Sequence, residues 1–264
     1  MILSKSIEFH NMFTKLNFSV LLFYIMTVFT SLFAQENNNR PSDLFPTEKV
    51  VTRYHNDWTI KNYQSRIATF KKDIPEFGDV FFIGNSITQQ AGDWNEKFEL
   101  NHIKNRGIAG DVTDGVIARL NEIVYYKPKA VFILIGINDL FNMHHDLDKS
   151  HNLKYDKIIP SAKYVGKNIM KIAKIIHQKS PNTKIFVRTV LPTTRPFLKD
   201  EILEINKIIK KGAHKGFYSV VDLYNVFVDE SGFMKKELTK DGVHLNDKGY
   251  EQWVTFEKPI LLKL

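Results

Sequence analysis

The sequence predicts an α/β protein, a three-layer sandwich in which helices cover both faces of a mostly five-stranded parallel sheet. Three observations carry this reading. Strand-like runs near residues 79–84, 102–108, 130–135, 184–191 and 219–222 alternate with stretches of helical period. The connections between them are too long for hairpins, so successive strands lie parallel. Several runs also stop abruptly in polar turns, among them Gly84-Asn85-Ser86 and Gly136-Ile137-Asn138-Asp139, and a sheet of this kind gathers its ligands at that edge.

Taken in order, residues 57–72 repeat Trp58, Tyr63, Ile67 and Phe70 at helical spacing, which predicts a first amphipathic helix with those four on its core face and Pro75 beyond its end. Val80–Ile83 is a continuous apolar run, the pattern of a strand buried on both faces, and it delivers Ser86 to the turn that follows. Asn85 and Ser86 could equally be no more than a helix cap. Trp94–Leu100 reads as a short helix. The strand after it closes in Asn105-Arg106-Gly107-Ile108-Ala109-Gly110, and Asp111 is expected to cap a helix carrying Val112, Val116, Leu120, Ile123 and Val124. Lys127-Pro128 stops that helix before Ala130–Ile135, the most strand-like segment of the chain. A loop over residues 141–157 leads to a long helix over 161–178, followed by the strand from Lys184, the loop Pro192-Thr193-Thr194-Arg195-Pro196, a helix over 198–211 and a short strand at 219–222. After Asp241-Gly242-Val243-His244, Asn246 caps a last helix with Tyr250, Trp253 and Phe256.

Residues 1–34 read as a signal peptide. Lys15 precedes the uncharged apolar stretch Phe18–Phe33, which ends at Ala34, and at about 16 residues it is short for a ~30 Å hydrocarbon core. An uncleaved signal anchor is the competing reading, and Met12 an alternative start. Residues 35–56 are expected to form a flexible N-terminal segment, leaving 57–264 as the domain, with no span in the mature chain. Export to a periplasm or the medium suits a chain with no cysteine. The formal charge is +8, of which residues 1–34 carry +1 through Lys5 and Lys15 against Glu8, leaving +7. The lysines scatter along helices without interleaved aromatics, so solvated faces rather than a nucleic-acid partner account for them.

If the strands are parallel, Ser86, Gly110, Asn138 and the pair Asp241/His244 all reach one sheet edge. Acyl transfer needs that company: a nucleophile, a base beside it, an acid to orient the base, and donors for an oxyanion. Each residue alone has a plainer role as a cap, a turn or a helix entry; the conjunction in fixed order is what argues for chemistry. The loop cluster His144, His145, Asp146, Asp148 and His151 fits no zinc spacing and is read as solvated or substrate-facing. Trp94 and Arg195 are expected near the pocket mouth, with packing beneath its own helix an equal expectation for Trp94.

The blocks Gly84-Asn85-Ser86-Ile87-Thr88, Asn105 to Asp111, Gly136-Ile137-Asn138-Asp139 and Asp241-Gly242-Val243-His244 resemble the four signature blocks of the SGNH hydrolases, or GDSL-type esterases. They look most like the subgroup similar to the platelet-activating-factor acetylhydrolase catalytic subunit and bacterial carbohydrate (sialate-type) O-acetylesterases. The resemblance implies a flavodoxin-like fold with Ser86 as nucleophile, His244 as base and then acid, and Asp241 orienting the imidazole. The N–H groups of Ser86 and Gly110 and the side-chain amide of Asn138 would form the oxyanion hole. It implies no cofactor and no metal. Asn85 departs from the family's usual Asp before the serine, which removes a charge while keeping shape and hydrogen-bonding capacity. The activity expected is removal of small acyl groups, acetyl foremost, from hydroxyls of a carbohydrate. A lysophospholipase, thioesterase or lipid-type acetylhydrolase is the alternative enzyme, and a non-catalytic glycan-binding protein the alternative of another class. Neither the sugar nor the oligomeric state can be read from the sequence.

Overall fold

The structure, a computed structural model, describes residue 41 and residues 43–147 and 154–264. The expected signal peptide, residues 35–40 and 42 of the expected flexible segment, and Asp148 and His151 lie outside the described residues. Strands β1 (Val80–Gly84), β2 (Ile103–Gly107), β3 (Ala130–Leu134), β4 (Lys184–Arg188) and β5 (Ser219–Val221) form one sheet in the order β2-β1-β3-β4-β5. Every pairing is parallel, as the long connections required. β1 and β3 are buried at every position because helices cover both faces, which is why they read as unbroken apolar runs. Strand order reverses between β1 and β3, and such a reversal opens a crevice at the carboxyl edge. Gly84 pairs with Gly107 on one side and Leu134 on the other, so the three strands end level there.

The helices are α1 (Asp57–Lys72), α2 (Ser86–Gln89), α3 (Trp94–Phe98), α4 (Thr113–Ala118), α5 (Leu120–Tyr126), α6 (Ile137–Met143), α7 (Ala162–Lys179), α8 (Lys199–Gly212), α9 (Leu223–Phe227) and α10 (Asp247–Leu261). Register places Phe82, Phe132 and Phe186 in one row across β1, β3 and β4. On that face Phe82 meets Trp94 and Phe98 of α3, and Trp94 meets Trp253 of α10, with ring centroids 5.0, 5.7 and 5.1 Å apart. α7 packs on α8, α4 and α5 in the other layer. Its start follows from Ser161, whose hydroxyl accepts from the N–H of Tyr164, and its buried stripe runs through Val165, Ile169, Ile172 and Ile176. Among the described residues no helix is long and apolar enough to cross a membrane.

Several expectations need correction. Residues 43–56, within the segment expected to be flexible, are anchored instead: Leu44, Phe45 and Tyr54 join the core, and His55 is buried. A polar stretch hides such anchors because a few apolar side chains suffice once a neighbouring groove receives them. The helix expected over 111–124 is two, broken at Arg119, whose side chain turns inward to a carboxylate and two strand carbonyls. The stretch expected as loop from residue 141 is helical through Met143. Trp58 is not a core residue of α1 but is 55% exposed, and Thr59 takes its place on the buried stripe with Tyr63, Ile67 and Phe70.

Candidate active site

Ser86 is the first residue of α2, directly after β1. Its entry is fixed by Asn85, whose side chain accepts from the N–H of Ile87 at 3.0 Å. The short helix is held from outside as well, since Trp94 Nε1 donates to the Thr88 carbonyl and the Tyr250 hydroxyl to that of Ile87. Trp94 therefore lies in the core beneath the serine rather than at the pocket mouth. At the first turn the N–H of Ser86 has no carbonyl within its own helix to receive it.

His244 and Asp241 come from the loop before α10. His244 Nε2 lies 2.9 Å from Ser86 Oγ, and His244 Nδ1 lies 2.6 Å from Asp241 Oδ2. The other carboxylate oxygen of Asp241 accepts from the N–H groups of Val243 and His244 at 2.9 and 2.7 Å. Burial acts to raise the Asp241 pKa, but these donors and the His244 ring outweigh it and hold the carboxyl below the usual range. Its pairing with His244 is thus kept above the ordinary carboxylate range and lost only as pH falls through the lower folded value. Gly242 turns this loop at φ +86°, and its carbonyl accepts from the N–H of Thr194 at 2.9 Å, joining the base-bearing loop to the loop after β4. A Cβ on Gly242 would collide with Thr194.

The corner after β2 brings Gly110 to the same place. Gly110 has φ +81°, and a Cβ there would collide with the Thr59 side chain and come within 2.8 Å of Trp58 Cζ3, so glycine is required on both counts. Asp111 does not cap a helix, as the sequence suggested. It is buried, with Oδ2 bound by Arg119 Nε at 3.1 Å and Oδ1 3.2 Å from His55 Nε2. Arg119 also donates to the carbonyls of Gly84 and Arg106, which ties the ends of β1 and β2 to this corner. The N–H of Ala109 donates to Gln89 Oε1 of α2, coupling the corner to the serine's helix.

Asn138, in the first turn of α6, donates one amide hydrogen to the Asp111 carbonyl at 3.0 Å, which fixes the amide and leaves its second hydrogen for another acceptor. The helix of the corner is capped instead by Asp139, whose carboxylate accepts from Thr113 N and, at 2.6 Å, from Thr113 Oγ1. Full burial pushes the Asp139 pKa up to about 7 despite those bonds, with Asp114 and Asp111 adding to the rise. Between about pH 4 and 7 the folded protein then holds a proton that the unfolded chain has lost, so this group's contribution to stability falls as pH rises across that window and is flat above it. Asp139→Asn should flatten that slope. Urea unfolding of both proteins at pH 5 and pH 8 reads it, and an unchanged difference between the two pH values would contradict the burial argument.

Ser86, Gly110, Asn138, Asp241 and His244, all singled out from the sequence, line one cavity of about 560 Å³. Arg195 lines it too. So do Tyr54, Trp58 and Tyr155, which the sequence reading missed. Trp58 had a signal: five residues before Tyr63 is about 140° around a helix, off the stripe that Tyr63, Ile67 and Phe70 define. Of the loop cluster, the described His144, His145 and Asp146 do not line the cavity, although Tyr155 further along the same loop does. His144 Nε2 pairs with Glu201 at 3.0 Å and His145 lies beside Asp146. The grouping of ligand-type side chains found among the described residues is elsewhere, at Glu76, Asp79 and His102.

A doubly wound parallel sheet with a serine and a histidine in contact at its switch point is an architecture of ester hydrolases acting through an oxygen nucleophile. The chain belongs to the GDSL-like lipase/acylhydrolase family, whose sequence model matches residues 82–252, and it is a carboxylic ester hydrolase. It is 29% identical over 180 residues to the platelet-activating factor acetylhydrolase IB subunit alpha2 of Homo sapiens, covering 65% of this chain and 71% of that one. A GDSL-like lipase from Bacteroides thetaiotaomicron shares the fold with a TM-score of 0.62 and 24% identity, covering 76% of this chain and 98% of that one. An acetylxylan esterase from Geobacillus stearothermophilus does so at 0.55 and 16%, covering 69% and 93%. The resemblance seen in the four sequence blocks is borne out by the family match.

Proposed function

We propose that this esterase is exported and removes small acyl groups, acetyl foremost, from hydroxyls of a carbohydrate, with Ser86, His244 and Asp241 as its catalytic triad. The observation that carries the proposal is the 2.9 Å contact between Ser86 Oγ and His244 Nε2 on the wall of a cavity that also holds Gly110 and Asn138. Ser86 Oγ attacks the acyl carbonyl carbon while His244 Nε2 takes the hydroxyl proton. The ester C–O bond breaks, and the imidazolium returns that proton to the departing sugar oxygen. Water, deprotonated by His244, then attacks the acyl-serine; the bond to Ser86 breaks, Ser86 regains its proton and acetate leaves. In both steps the N–H groups of Ser86 and Gly110 and the free hydrogen of the Asn138 amide stabilise the oxyanion. Asn138→Ala should therefore lower kcat by roughly 10²–10³-fold with a much smaller change in KM, measured by steady-state hydrolysis of an aryl acetate.

The acetyl preference is supported by the names of two proteins of this fold, an acetylhydrolase and an acetylxylan esterase. The aromatic rings of Trp58, Tyr54 and Tyr155 on the cavity wall suit the faces of sugar rings. Export is supported by residues 1–34, with the uncharged stretch Phe18–Phe33 ending at Ala34. The name of the human relative favours a second reading, an acetyl ester of a lipid. Acetate release from acetylated xylan and pectin fragments, beside p-nitrophenyl acetate against p-nitrophenyl palmitate, tests the choice. Faster turnover of the palmitate, or acetate release from lipid esters alone, would replace the carbohydrate reading. N-terminal sequencing of exported protein tests cleavage after Ala34.

A further inference from the structure

We infer that the alcohol part of the substrate is a sugar acid, its ring placed on Trp58 and its carboxylate bound by Arg195. This rests on the esterase reading above and adds to it the chemistry of the leaving group. Arg195 follows β4 on a loop that is locked at several points. Thr194 N–H donates to the Gly242 carbonyl at 2.9 Å, Arg195 N–H to Thr193 Oγ1 at 3.1 Å, and Pro196 opens the 3-10 turn Pro196–Leu198. The guanidinium is thereby carried on the same frame as Asp241 and His244. Its guanidinium makes one long bond among the described residues, from Nη1 to Thr194 Oγ1 at 3.3 Å, and no carboxylate of those residues lies within ion-pair distance of it. Arg106, Arg119 and Arg188 differ, for each is paired with a carboxylate. A guanidinium matches a carboxylate with two parallel N–H donors, and Arg195 retains that capacity at the cavity.

The charges around it point the same way. Among the described residues, Asp241 is the single carboxylate of the cavity lining, and its oxygens are taken up by the His244 ring and by the N–H groups of Val243 and His244. Lys240, next in the chain, donates to Gln90 Oε1, and Gln90 also lines the cavity. The charge not already committed to an internal partner is therefore positive. Trp58 supplies the other half of the site: it is 55% exposed on the cavity wall, and its ring edge lies against Gly110, so a stacked ring would sit beside the proposed oxyanion donor.

The test compares initial rates of acetate release by the intact enzyme from acetylated galacturonate oligomers, from an O-acetylated sialic acid, and from the carboxyl methyl esters of both, with acetylated xylo-oligomers as the neutral reference. At least one free acid should exceed its own methyl ester in kcat/KM by roughly tenfold at low ionic strength, with the advantage shrinking as salt is added. Which acid does so distinguishes a polymer uronate from a sialic acid. Arg195→Gln should bring that acid-to-ester ratio close to one, and Arg195→Lys should restore part of it. Equal rates on acid and methyl ester for both sugars would overturn the inference while the neutral acetates still report the esterase, and so would an unchanged ratio in Arg195→Gln or a stronger preference for a phosphate-bearing acetyl ester. Failure on every acetate, aryl acetate included, would instead overturn the underlying reading. The methyl-ester comparison needs no variant and so stands even if a substitution impairs folding.

Discussion

Ser86→Ala is expected to lower kcat for aryl acetate hydrolysis by roughly 10⁴–10⁶-fold, the range seen when the nucleophile of a triad is removed. The size follows from what the change takes away. Ser86 Oγ is the atom in contact with His244 Nε2, so the variant loses both the bond-forming oxygen and the group that the base serves. The donors at Gly110 and Asn138 and the surrounding cavity stay, and these leave the residual rate over water. Little stability should be lost, since the α2 cap comes from the Asn85 side chain and its outer tethers from Trp94 and Tyr250. Purified variant with an unchanged melting curve and no acetate release supports the triad. A variant that hydrolyses aryl acetate at the wild-type rate, or active wild-type protein that a fluorophosphonate fails to label at Ser86, would remove Ser86 from the mechanism.

The parallel sheet was legible because its signal is carried by continuous local pattern. Val80–Ile83 and Ala130–Ile135 can be buried on both faces only in a sheet covered by helices, and that implies parallel order. The five proposed site residues were legible for a related reason: each stands at a strand or loop end where a polar turn interrupts apolar sequence. What escaped is tertiary. Asp111 has the residue type and position of a helix cap, yet burial beside Arg119 and His55 offers its carboxylate stronger partners, and Asp139 caps α4 from another element. Arg119 is 8 positions from Asp111, but His55 is 56 away and Thr113 is 26 from Asp139, beyond any local rule. Tyr54 and His55 fall within the segment 35–56 that its polar composition marks as flexible, and their burial depends on Asp111 and on Asn142, whose amide donates to the Tyr54 carbonyl. The cavity's aromatic wall was missed with them.

The second large effect concerns stability and a residue remote from the reacting atoms. Glu257 of α10 and Arg188 of β4 are both fully buried and meet in a two-point pair, Nε to Oε1 at 2.8 Å and Nη2 to Oε2 at 2.7 Å, with Trp253 Nε1 also donating to Oε2 at 2.7 Å. The guanidinium lies between aromatic rings, 4.1 Å from the Phe82 centroid and 4.8 Å from that of Trp253. Bringing both charges out of water costs several kcal/mol each, so the pair adds little net stability; its removal by halves is what is costly. Glu257→Ala leaves Arg188 charged, buried and without its counterion, and should destabilise the fold by about 3–5 kcal/mol, lowering Tm on the order of 10 °C in a domain of this size. Arg188→Met combined with Glu257→Leu removes both charges and keeps most of the volume, so it should recover much of that loss. Thermal and urea unfolding of the single and double variants measure the difference. If the double variant were as unstable as the sum of its two single changes, lost packing rather than an uncompensated charge would be the cause, because only the charge argument requires the second substitution to relieve the first.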